Sequence, residues 1–164
     1  ERFGLTGLTV DPEAEPGARA QQKPAGPHAA ALDAAAQALD AGDLGGAVQA
    51  YKNVLADDPA NAEAKLGLAQ AELLQRVRGM DVQKVRQEAA EKPGDVQAQI
   101  AAADLDLAGG HVEDAFGRLI DTVKRTAGED RDAARLRLLE LFEVVGAEDP
   151  RVTAARRALA RALF

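Results

Sequence analysis

The sequence predicts an all-α fold, a right-handed α-α superhelix of stacked helix hairpins, and three observations predict it. Ala and Leu dominate an apolar content of 46 % while aromatic residues make up only 3 %, and Ala and Leu lose least on entering a helix. Runs of β-branched and aromatic residues, from which strands are built, are scarce. The breaks in the helical pattern recur at one spacing: Pro59 and Pro93 are 34 residues apart, and Gly42 and Gly110 are 68 apart, twice that. Such a period is the arithmetic of helix pairs stacked in one direction. A plain helical bundle would also use amphipathic helices, but it gives no reason for the spacing.

Taken in order, residues 1–27 read as a linker or tether. Phe3, Leu5 and Leu8 make a short apolar piece able to dock in extended form, and Asp11–Gly17 and Gln21–Pro27 follow with Pro and Gly close together, a pattern that stops regular structure. Residues 28–164 divide into four units, 28–61, 62–95, 96–129 and 130–164. The first has helices over Ala29–Ala41 and Ala47–Ala56 around Gly42-Asp43, with small Ala47 letting the helices approach and Tyr51 filling the wedge beside it. Asn61 is placed to cap the next helix. In the second unit Gly79-Met80 breaks the first helix and Asp81 caps the second, an irregular pair. The third has Val96–Ala108 and Val112–Arg125 around Gly109-Gly110. The fourth has Ala133–Val145, then Asp149-Pro150, a cap followed by proline at the first helical position.

Composition narrows the function classes. A formal net charge of −7 disfavours nucleic acid and anionic membrane as partners, although Arg151, Arg156, Arg157 and Arg161 form a basic run that reads as a solvated face of the last helix. The chain has no cysteine, so it offers no thiolate chemistry. No stretch approaches the roughly 20 apolar residues of a membrane span. The start Glu1-Arg2-Phe3-Gly4 shows no signal peptide and no initiator Met, which points to a fragment, with a cytoplasmic location as the default. His28 and His111 are 83 residues apart and form no zinc-ligand cluster. Asp104 and Asp106 lie two apart on one helix and face different directions, and Glu148-Asp149 reads as a turn and cap. With no phosphate loop or catalytic triad, the expectation is a chain that is not an enzyme and uses no metal or cofactor.

Two stretches carry a family resemblance. Ala41-Gly-Asp-Leu-Gly-Gly-Ala-Val-Gln-Ala-Tyr51, continuing through Asp58-Pro59-Ala-Asn61, resembles the tetratricopeptide repeat. Asp132-Ala-Ala-Arg-Leu-Arg-Leu-Leu-Glu-Leu-Phe142 onward to Pro150, with Arg156-Arg-Ala-Leu-Ala-Arg-Ala-Leu-Phe164, resembles the end of the bacterial thioredoxin-like co-chaperone family. The resemblance covers about residues 28–164. It implies a cytoplasmic protein that binds unfolded or oxidised clients and hands them to chaperonin and Hsp70 machinery. A Cys-x-x-Cys or Ser-x-x-Cys motif and its thioredoxin-fold domain do not occur in this chain, and residues 1–27 then correspond to the linker behind such a domain.

The binding surface expected from the repeat is the inner face built by the first helix of each unit. In the 34-residue register its apolar positions are Leu32 and Leu66, then Leu39, Leu73 and Leu107, with Leu74 and Phe142 in the neighbouring set. These seven are the candidate binding residues, Leu74 and Phe142 foremost, because apolar grooves take helices or unfolded segments. The rival reading is a structural module in which the same positions lock a homodimer.

Overall fold

A computed structural model describes residues 26–164; residues 1–25, and with them the expected docking of Phe3, Leu5 and Leu8, lie outside the described residues. The described residues form eight helices and no strand: α1 Ala29–Asp40, α2 Leu44–Asp57, α3 Ala62–Arg78, α4 Val82–Glu91, α5 Val96–Ala108, α6 Val112–Arg125, α7 Gly128–Val145 and α8 Pro150–Leu163. This is the expected all-α helical repeat fold.

Local chemistry sets the boundaries. Asp43, Asn61, Asp81 and Asp95 each accept a hydrogen bond from the backbone N–H three residues on, at 2.9–3.2 Å, which satisfies a donor the helix start leaves open. Asp149, just before Pro150, accepts instead from the N–H two residues on, that of Arg151, at 2.8 Å. The first helices of units one and three end alike. Gly42 and Gly110 take φ of 83° and 87°, and the N–H of the next residue, Asp43 or His111, reaches back to the carbonyl of Ala38 or Asp106. A left-handed residue closing a helix in this way is the usual use of glycine.

Units two and four differ. In the register of Gly42 and Gly110 they carry Arg76 and Val144, so no glycine stops the first helix there. α3 runs 17 residues and α7 runs 18, against 12 and 13 for α1 and α5. α7 also begins at Gly128, five residues before the Ala133 expected from sequence. α4 is left with 10 residues.

Packing follows from those lengths. α1 with α2 and α5 with α6 close as hairpins, but α4 leans on α5 rather than on α3, and α8 lies against α6 rather than along its own partner α7. Four matched antiparallel pairs are therefore not what forms. The two long helices, α3 and α7, meet each other although they belong to the second and fourth units. An open stack touches only neighbouring repeats; here the inner side is closed.

α5 sits at the centre, touching α3, α4, α6 and α7, and ten of its thirteen residues are buried. The core is in two parts. Leu32, Ala35, Ala47, Tyr51, Val54, Ala64 and Ala71 form the smaller cluster, in α1–α3. The larger runs from Leu73 through α5, α6 and α7 to Val152 and Leu159 of α8. α3 belongs to both.

Candidate functional site

The seam between α3 and α7 is held by charge at its base. Asp104 of α5, only 1 % exposed, accepts from Arg76 of α3 through Nε at 3.0 Å and Nη2 at 3.2 Å. It also accepts from Arg137 of α7, whose Nε binds Glu140 at 2.9 Å. Gln70 adds a bond from α3 to the Val144 carbonyl of α7 at 3.4 Å. Asp106 makes a second cluster on the other side of α5. Arg86 of α4 and Arg118 of α6 bind its two oxygens, the latter at 3.1 Å. Arg118 also donates to buried Gln99 at 2.9 Å, and Gln99 donates to the carbonyls of Ala89 and Lys92 at the end of α4. The two aspartates face opposite ways, as their spacing on a helix requires.

Above Asp104 the walls of α2, α3 and α7 stand apart. They enclose a hollow of about 320 Å³ lined by Leu55, Lys65, Leu68, Ala69, Glu72, Arg76, Glu140, Glu143 and Val144. A second hollow of about 470 Å³, lined by Ala62, Lys65, Leu66, Glu143, Gly146, Ala147 and Glu148, shares Lys65 and Glu143 with the first, so the two are lobes of one groove along the seam. Both are mainly apolar inside. Arg76 and Val144, the residues at the two register positions that lack glycine, line the inner lobe. A hollow of about 510 Å³ on the outer side, among Glu113, Asp114, Arg118, Asp121 and Arg125, is polar, and its Asp106 and Gln99 are already bound to arginine.

The seven expected binding residues separate sharply. Leu32, Leu73 and Leu107 are 6 %, 3 % and 7 % exposed and belong to the two clusters. Leu39 is half-buried against the smaller cluster. Phe142 is wholly buried. Its ring meets Phe116 edge-on at 5.0 Å, and the Arg156 guanidinium lies 4.9 Å from its centre. As placed, these five offer a partner little surface, because the stripe expected to line an open groove is consumed in the two cores, Leu32 and Leu39 among α1–α3 and Leu73, Leu107 and Phe142 in the larger cluster. Leu66 and Leu74 remain exposed, and Leu66 lines the outer lobe. Sequence reasoning missed the ion-paired base of the seam. Its one signal was the pair of carboxylates in α5, a helix otherwise without charge, where burial demands basic partners.

Among the described residues no group of three or more His, Cys, Asp or Glu is gathered to hold a metal ion, and no helix is long and apolar enough to cross a membrane.

Comparison with known proteins agrees with the architecture. Tetratricopeptide-repeat models match residues 38–76 and 75–164, and the two matches meet in the last turn of α3. Uncharacterized proteins of Mycobacterium bovis and of two strains of Mycobacterium tuberculosis are each 40 % identical over 134 residues, covering 82 % of this chain and 44 % of the relative. The chain thus spans less than half the length of the curated relatives it matches. No solved structure matches it. With repeat models covering its helices from residue 38 to the end, the chain belongs to the tetratricopeptide repeat family.

Proposed function

We propose that the chain is the protein-binding repeat domain of a thioredoxin-like co-chaperone, holding exposed segments of unfolding clients in the groove along the α3–α7 seam. One observation carries the reading: a two-lobed, mainly apolar groove stays open on a molecule most of whose other expected inner positions, Leu32, Leu73, Leu107 and Phe142, are buried. Helical repeats of this family are protein-interaction modules, and an apolar groove of this size suits a peptide side chain. The likeness of residues 132–164 to the co-chaperone family supports the finer assignment. So does the length of the mycobacterial relatives, which leaves room for a further domain in them. On this reading the chain binds without turnover, docks to chaperonin or Hsp70 machinery and works in the cytoplasm, with residues 1–27 as the tether to the redox domain.

The test is suppression of aggregation of a chemically denatured client, with Leu66→Asp and Leu74→Asp introduced singly and together. Both side chains are exposed, so the fold should survive, as circular dichroism would verify. Loss of suppression by a folded, monomeric double variant supports the reading. A parent chain with no anti-aggregation activity, whose dimers become monomers on the same substitutions, overturns it in favour of a structural module.

A further inference from the structure

The rim of the seam groove is not neutral. Glu72 on the α3 wall and Glu143 on the α7 wall flank the inner lobe, and Glu148 closes the outer one. Among the described residues none of the three takes part in an ion pair, whereas Glu140 is held by Arg137 and Arg76 by Asp104. Among the described residues lining the groove, Lys65 is the cation without such a pair. The groove therefore offers an apolar floor of Leu55, Leu68 and Val144 beneath a rim of three carboxylates and one ammonium, net acidic. Along α3 it runs from Ala62 to Arg76, about 21 Å at the helical rise, the span of about six extended residues.

We propose that the groove selects an extended segment in which one or two apolar side chains are flanked by lysine or arginine. This rests on the client-holding reading above and states which clients are held. The apolar side chain enters the lobe over Leu68 and Val144, where loss of water contact supplies affinity. The flanking cations meet Glu72 and Glu143 across the inner lobe, with Glu148 beyond. Exposed ion pairs add little each, so their role is discrimination: an acidic segment meets like charge on both walls and is turned away. The preference weakens as salt screens the rim.

Fluorescence anisotropy with the whole chain tests this, using labelled peptides of about eight residues that share one Leu-Val core and differ only in flanks of Lys, Ser or Glu. The Lys-flanked peptide should bind about tenfold more tightly than the Ser-flanked one, and the Glu-flanked peptide more weakly still. High salt should close the gap. Glu72→Lys/Glu143→Lys/Glu148→Lys, all on the rim, should reverse the order while circular dichroism stays unchanged. Equal binding of all three peptides, lost with Leu66→Asp, would overturn the charge selection and leave the client-holding reading standing. An order unchanged by the triple substitution would also overturn it, placing selection elsewhere. Absence of binding by any peptide overturns it as well, and failure of the parent to suppress client aggregation would then remove the broader reading too.

Discussion

Asp104 of α5 sits where α3 and α7 converge on the central helix, accepting from Arg76 and Arg137. Its carboxylate is buried, and both oxygens are held by guanidinium groups from α3 and α7. Removing one partner from a buried ion cluster leaves charge uncompensated, so Asp104→Ala should cost about 3–5 kcal/mol in urea unfolding. Replacing all three residues at once, Arg76→Leu/Asp104→Leu/Arg137→Leu, removes the charges together and should cost far less or even stabilise. Equal losses in the two variants would mean that the cluster is not what closes the seam. Gly67 has a different reason to be small: a Cβ there would lie 2.1 Å from the tip of the Tyr51 ring. Both residues are buried, so Gly67→Ala should cost about 1–3 kcal/mol by overpacking. At Asp149, hydrogen bonds from the Arg151 side chain and backbone lower the carboxyl from 3.8 to about 2. A lowered acid stabilises the fold above its ordinary range and loses that contribution as pH falls through its folded value. The Arg151 amide resonance should accordingly titrate with a midpoint near 2, and a midpoint at the ordinary value would mean that the cap is not formed in solution. The sequence made some of these residues readable. Asn61, Asp81 and Asp149 announce themselves as caps because capping is local. Asp104 does not, because its partners lie 28 and 33 residues away and nothing local names them.

At the scale of the helix, the informative signal was a missing glycine. Gly42 and Gly110 mark where a first helix should stop, and without glycine at Arg76 and Val144 the helices α3 and α7 run longer, with the Val144 carbonyl itself accepting a bond from Gln70 across the seam. The expected break at Gly79-Met80 was found near enough, but its consequence was not, since an element's length is local while what it reaches is not. The same limit explains Phe142. Its register position is shared with exposed Leu74, yet the convergence of α6, α7 and α8 buries it against Phe116. Phe142→Ala should therefore cost about 3–5 kcal/mol through lost contact and a cavity, while Leu74→Ala, on an exposed site, should stay within about 1 kcal/mol. Thermal or urea unfolding reads both. A cheap Phe142→Ala would restore that residue to the groove.

Over the whole molecule, periodicity was enough to obtain the helices and their order, and the resemblance of residues 41–61 pointed to the repeat family. Periodicity could not give the closure of the inner face, which arises from a contact between the second and fourth units that a one-dimensional repeat does not contain. That closure moves the available binding surface. The broad apolar face expected from Leu32, Leu39, Leu73 and Leu107 is spent on two cores that share α3, and a narrower groove with an acidic rim remains at the seam. Because α3 belongs to both cores, a segment bound there would brace one against the other. Amide hydrogen exchange of the full chain, with and without a saturating unfolded client, tests this most directly. The account predicts slowed exchange over residues 62–76 of α3 and 140–148 at the end of α7, with little change in α1 or the outer side of α6. Client binding that leaves both segments unprotected, with protection concentrated on the α4–α6 side, would contradict it.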